Sequence, residues 1–214
     1  MARPQTDIEA GRQELLDICE ELVRKRGGVD LSMTELAAAA GMSPANLYRF
    51  FESKDALMEA AAGRWFAPKI AIMEEVVAAD LPVRDKMYQF FARRFVWMRD
   101  EYRAEPEFFK SYLELGDEHF EVVRGYVDLG DHYLSQIVAE AMGEGYLPDL
   151  SIDDAVSLIN QMVQPYCNPE ALLYLDHKLS EGKLARIIDT IFIGLGRSFD
   201  TKSGPGQPHI KIVS

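Results

Sequence analysis

The constraint that most limits the fold of this chain lies between Ser32 and Phe51, where two helix starts and a helix stop are crowded together. Ser32 followed by Glu35 has the form of a capping box, in which side chain and backbone satisfy each other's hydrogen bonds at a helix N-terminus. The short helix that follows turns Met33, Leu36, Ala37 and Ala40 to one side and stops at Gly41, a residue that tolerates a left-handed C-terminal cap. Ser43 is placed to cap the next helix, with Pro44 at its first position, where a missing N–H does no harm. The spacing gives that helix about two turns. Ser53 caps a further helix beginning at Lys54, which Pro68 is expected to kink or end. Helices this short cannot bury their own apolar faces. They need the start of that fourth helix and a preceding one, read from Ile8, Leu15, Ile18, Cys19 and Leu22, as packing partners.

The rest of the chain keeps a helical period. Met87, Phe90, Phe91, Phe95 and Met98 recur on one face, followed by Phe108, Phe109, Tyr112 and Leu113 and then by Val122, Val123, Tyr126, Leu129 and Tyr133. Later stripes carry Ala155, Leu158, Ile159, Met162 and Val163, and then Leu184, Ile187, Ile188, Ile191, Phe192 and Leu195. No period-two strand pairs or hairpin turns interrupt them, so the fold class is all-α. The organisation reads as a headpiece over 1–53, a helical domain over 54–200 and a frayed Gly- and Pro-containing tail over 201–214. Two cysteines are too few for a disulfide scaffold and fit a reducing compartment, with cytoplasm the default. Neither a signal peptide nor a membrane span is expected, since no apolar run approaches the roughly 18 residues a span needs.

Two short helices around a glycine turn have the sequence form of a helix-turn-helix. On a helical wheel the second of them turns Leu47, Phe50 and Phe51 inward, and Pro44, Ala45, Tyr48 and Arg49 outward, with Asn46 on the flank. That outward arc suits the DNA major groove: small residues let the backbone approach base edges, an alanine methyl meets a thymine methyl, and Asn pairs with adenine. Tyr48 offers a hydroxyl to a phosphate, and Lys54 sits in a first helical turn, where an ammonium and free N–H groups both favour a phosphate oxygen. Taken singly, Tyr48 also reads as a core-edge tyrosine and Asn46 as an ordinary surface residue.

The run LAAAAGMSPANLYRFFESKDALMEAA resembles the DNA-binding signature of the tetracycline-repressor (TetR) family in Leu36-Ala37, Ala40-Gly41, Leu47-Tyr48, Phe51 and Ser53-Lys54. The resemblance implies a homodimeric one-component regulator, expected to be a repressor, that binds a partly palindromic DNA operator and releases it when a small-molecule effector occupies the C-terminal domain. By position it assigns Thr34, Ala45 and Asn46 to base reading, with Pro44 beside them, and Ser32, Ser43, Tyr48 and Lys54 to phosphates. Arg49 reads either as a phosphate contact or as a solvated charge. Family members often carry a polar residue where this chain has Phe50, so Phe50 is given no DNA contact.

Charge weighs against this reading. The whole chain is at −12, and residues 1–60 hold 7 Lys/Arg against 11 Asp/Glu. Binding is still allowed, because only charges within a Debye length of about 8–10 Å from the phosphates matter. Arg3, Arg12, Arg49 and Lys54 are the candidates for a local basic rim.

Phe95, Trp97, Met98, Tyr102, Phe109, Tyr112 and Tyr126 are candidates to line an effector pocket, or else to fill the core. Leu158, Ile159, Met162, Ile188, Ile191, Phe192 and Leu195 belong to stripes broader than one partner helix covers; they are candidates for a dimer interface, or else complete their own core. The four histidines have no metal-ligand spacing, and no nucleophile set, phosphate loop or dinucleotide fingerprint is present, so no metal, cofactor or enzymatic activity is expected. The acidic headpiece motivates the alternative of a small-molecule-binding helical protein whose headpiece no longer binds DNA.

Overall fold

The computed structural model describes residues 5–194, which form ten α-helices and one short 3-10 turn, with no strand. The helices are α1 (Gln5–Arg26), α2 (Met33–Ala39), α3 (Pro44–Leu47), α4 (Lys54–Ala78), α5 (Val83–Ala104), α6 (Pro106–Glu118), α7 (Phe120–Gly143), α8 (Ile152–Cys167), α9 (Pro169–Leu175) and α10 (Glu181–Gly194). The tail over 201–214, Arg3 and Leu195 lie outside the described residues.

Local signals fix the headpiece. Glu35 N donates to Ser32 Oγ at 3.2 Å while Ser32 N donates back to Glu35 Oε2 at 2.9 Å, closing the capping box. Gly41 adopts a φ of 64°, and Met42 N closes the turn onto Ala37 O at 2.9 Å. Ser43 Oγ accepts from Asn46 N at 3.3 Å. The third helix is shorter than the expected two turns: it is α-helical only from Pro44 to Leu47 and then tightens into i→i+3 bonds from Arg49 N and Phe50 N. Just beyond it, Phe50 O accepts from Arg12 Nη1 at 2.8 Å.

Pro68 does not end α4, which runs through it to Ala78. Packing on both sides of the proline explains this: Trp65, Lys69, Met73 and Val76 form a buried stripe that straddles it, while Pro68 itself faces solvent.

Two apolar clusters result. One joins α1, α2 and α3 to Leu57, Met58, Ala61 and Ala62 of α4 and to Phe108 and Leu115 of α6, so the headpiece core draws on residues well beyond position 53. The other fills the space between α4, α5, α7, α8 and α10.

Candidate nucleic-acid interface and the cavity behind it

α3 presents its N-terminal arc to solvent. Ser43, Pro44, Ala45, Tyr48 and Arg49 are exposed, Asn46 is half-buried, and Leu47 is fully buried beneath them. Tyr48 is 50% exposed, so it is not a core-edge tyrosine in this protomer. Ser32 and Thr34 at the start of α2 and Lys54 at the start of α4 are exposed too. Phe50 is half-buried against α1; a Cβ added to Gly11 would stand 2.4 Å from its ring, so only glycine permits this approach.

The charges are largely engaged within the headpiece. Lys54 pairs with Asp30 at 3.5 Å, and Arg26 with Glu35 at 2.6 Å. The Ser32 hydroxyl and backbone N–H, helped by Arg26, hold the Glu35 carboxyl down at about 2. Arg12, a candidate for the basic rim, is instead half-buried, held by the Phe50 carbonyl with its guanidinium 4.4 Å from the Phe51 ring centre. Arg49 reaches only Asn46 Oδ1, at 3.5 Å, and keeps its cation available.

Behind the headpiece a cavity of about 480 Å³ opens between α4, α5, α6, α7 and the α8–α9 junction. Met98, Tyr112 and Tyr126 line it, as do Trp65, Phe66, Lys69 and Arg94. Four of the sequence candidates do not. Phe95 is fully buried, edge-on to Tyr166 at 5.0 Å, and Phe109 is fully buried between Trp65 and Tyr102 at 5.5 and 5.4 Å. Tyr102 and Trp97 lie outside the cavity wall, with Trp97 edge-on to Trp65 at 5.0 Å. The physical reason is that helical period marks which residues of α5 and α6 face inward, not whether a void or a neighbouring side chain lies opposite them.

Lys69 was not among the candidates. It is 4% exposed, and its Nζ lies 4.3 Å from the Phe66 ring centre, 5.0 Å from Trp65, 5.1 Å from Tyr126 and 5.6 Å from Trp97. Burial, with the Arg94 cation adding to it, pushes the Lys69 ammonium down to about 7. Arg94 donates to Phe90 O at 2.8 Å and reaches Tyr126 Oη and Met73 Sδ at 3.3 Å. The other titratable groups around the cavity are Tyr112 and Asp117 of α6, Asp131 of α7, Tyr166 and Cys167 of α8 and Glu170 of α9.

α6 links the two regions. Phe108 and Leu115 sit in the headpiece cluster, where Arg24 lies 3.9 Å over the Phe108 ring and pairs with Glu105 at 2.9 Å. On the same helix Tyr112 and Leu113 face the cavity, Tyr112 stacked on Trp65 at 4.2 Å. Burial and the neighbouring Glu20 carboxylate raise the Tyr112 phenol above its ordinary value.

The interface candidates divide. Ile159, Ile188 and Ile191 are fully buried and Phe192 nearly so, all inside their own protomer's core; this corrects their assignment to a dimer interface. Ala155, Ile159 and Val163 point inward at successive turns of α8, which leaves Leu158 and Met162 on its shoulder, each 38% exposed. Ile152 and Ile193, the latter 63% exposed, extend that apolar surface in sequence onto the start of α8 and the end of α10.

Among the described residues no helix is long and apolar enough to cross a membrane, and no cluster of three or more His, Cys, Asp or Glu could hold a metal ion. Residues 15–61 match the model for bacterial regulatory proteins of the tetR family, and residues 83–188 match the model for a tetracyclin repressor-like C-terminal domain. An uncharacterised HTH-type transcriptional regulator from the dhlA 5′ region of Xanthobacter autotrophicus is 30% identical over 159 residues, covering 73% of this chain and 76% of that protein. Two solved TetR-family transcriptional regulators share the fold. The one from Marinobacter aquaeolei has a TM-score of 0.59 at 17% identity, over 89% of this chain and 97% of its own. The one from Thermus thermophilus has a TM-score of 0.55 at 20% identity, over 86% and 99%. A capped helix-turn-helix with an open arc, an all-helical body and matches at both ends of the chain lead to one conclusion: the protein belongs to the TetR family of transcriptional regulators.

Proposed function

We propose that the protein is a dimeric one-component repressor that binds a partly palindromic operator through α3 of each protomer and releases it when a small molecule fills the cavity. The observation that carries this reading is the double attachment of α6, whose Phe108 and Leu115 belong to the headpiece core while Tyr112 and Leu113 wall the cavity. A ligand that displaces Tyr112 also displaces the surface on which the headpiece sits. Bases are read by Thr34, Pro44, Ala45 and Asn46; Ser32, Ser43, Tyr48, Arg49 and Lys54 hold phosphates. Leu158 and Met162, with Ile152 and Ile193, form the face that a second copy covers and that sets half-site spacing.

The test is a gel-shift titration with DNA from upstream of the protein's own gene, at two salt concentrations. Retardation that weakens with salt, and weakens again in Tyr48→Ala, is the expected result. The pairing of Lys54 and Arg26 with headpiece acids favours a second reading, a ligand-binding protein with no DNA affinity. Absence of any retardation at the lower salt supports that alternative and overturns the first.

A further inference from the structure

Among the described residues two lysines are buried, Lys69 and Lys86, and they are treated differently. Lys86 is 7% exposed and donates to Glu140 Oε2 at 2.7 Å, so its charge is compensated. Lys69 is 4% exposed, and among the described residues no carboxylate or hydrogen-bond acceptor meets it, while aromatic faces do. Arg94 beside it is bound by a carbonyl, a thioether and a phenol, all neutral. Asp131, next in sequence to Gly130, which lies beside Arg94, accepts from Asn160 Nδ2 at 2.7 Å. Two cations therefore converge on Tyr126 from α4 and α5 at the wall of one cavity, and among the described residues neither forms a salt bridge, although Asp117, Asp131 and Glu170 line the same cavity. Uncompensated burial of charge is costly, and a binding site is where such a cost is offset by a ligand.

The remainder of the wall defines the rest of that ligand. Trp65, Phe66, Phe90, Phe91 and Met98 surround the cations with apolar surface, and the volume of about 480 Å³ falls among those of small-molecule sites, roughly 300–1,000 Å³. Phe120 and Val127 of α7, which line the same cavity, are 64% and 51% exposed, so an apolar chain can extend toward solvent along them.

We infer that the cavity takes an apolar monocarboxylic acid, its carboxylate seated between Lys69 and Arg94 and its hydrocarbon part packed among the aromatic side chains. This deepens the effector reading above and rests on it only for its regulatory consequence; the binding itself stands separately. A carboxylate gives the two cations charge-assisted hydrogen bonds that a neutral ligand of the same shape cannot.

The experiment is calorimetric titration of the full-length protein at pH 7 with straight-chain acids from butanoate to dodecanoate and with phenylbutanoate. Each acid is paired with its primary amide. At least one acid is expected to bind about ten- to a hundredfold tighter than its amide, the range a hydrogen bond to a charged group supplies. Lys69→Met is expected to cut that preference severalfold, Arg94 holding the remainder, and Lys69→Arg to restore part of it, with circular dichroism and thermal unfolding confirming that each variant folds. Equal affinity for acid and amide, a preference unchanged in Lys69→Met, or failure of every acid to bind overturns the inference. A gel shift run alongside separates the two claims. Acid that binds without releasing DNA leaves the inference standing and sinks the effector mechanism; operator bound by a protein that ignores all the acids does the reverse.

Discussion

Replacing Lys69 with methionine should stabilise the protein, and the gain should depend on pH. The unfolded chain holds the Lys69 proton with an ordinary value of 10.5, whereas the folded protein holds it only to about 7. At pH 6 that difference amounts to a penalty of about 5 kcal/mol against folding. The four aromatic faces within 6 Å attract the ammonium and offset roughly 2 kcal/mol of it, leaving about 3 kcal/mol. Between the folded and unfolded values the unfolded state binds the extra proton, so wild-type stability rises with pH across that window, and the variant's advantage shrinks to about 1 kcal/mol at pH 10. Arg94, Tyr112, Asp117, Tyr126, Asp131, Tyr166, Cys167 and Glu170 line the same cavity in both proteins, so the comparison isolates the change at Lys69. Urea denaturation of wild type and Lys69→Met at equal protomer concentration, at pH 6, 8 and 10, reads the gap directly. A wild type that is the more stable at pH 6, or a gap that does not narrow as pH rises, would refute the account of Lys69 as a buried, uncompensated cation.

Three further outcomes follow from the geometry. Gly41→Ala places a Cβ at a φ of 64° in the turn between α2 and α3 and should cost about 1–2 kcal/mol, measured by thermal unfolding, with DNA affinity falling alongside. Because Ser32 and Arg26 hold the Glu35 carboxyl at about 2 against an unfolded value of 4.5, its contribution to stability is present above pH 4.5 and is lost as pH falls toward 2; Glu35→Gln should remove that share of the acid sensitivity, seen by comparing denaturation at pH 3 and pH 6. Leu158→Glu combined with Met162→Glu puts two charges on the exposed shoulder of α8 and should give monomers in sedimentation velocity with helical content unchanged, whereas a dimer that persists would move the proposed interface elsewhere.

The headpiece was legible because its signals are local. A capping box, a glycine at a left-handed turn and a Ser-Pro helix start act over three or four residues, and each does in the structure what its chemistry dictates. Pro68 misled for the complementary reason: a helix already held by packing at Trp65 and Met73 continues past a missing N–H that would end a free one. The same limit separates Met98, Tyr112 and Tyr126 from Phe95 and Phe109, since periodicity marks an apolar residue but not whether a void or a neighbour lies opposite it. Lys69 did leave a trace in the sequence. It occupies an inward position in the series Trp65, Lys69, Met73 and Val76, where a charge among apolar residues at helical spacing marks a group that folding must either pair or reserve.

On the proposed mechanism, the place where charge is reserved and the place where motion is transmitted are one turn of α4 apart. Lys69 stands four residues after Trp65, and Trp65 stacks on Tyr112, which belongs to the helix that carries Phe108 and Leu115 into the headpiece core. An anion drawn to Lys69 and Arg94 must enter between these rings, so its binding energy is spent at the contact that fixes α6 against α4. Linkage sets how large the response can be: an effector that binds the released state a hundredfold more tightly weakens operator binding by the same factor, about 2.7 kcal/mol. A stacked pair and a few apolar contacts hold differences of that size, so moving α6 alone suffices, and α3 and its capped turn can remain a rigid unit in both states.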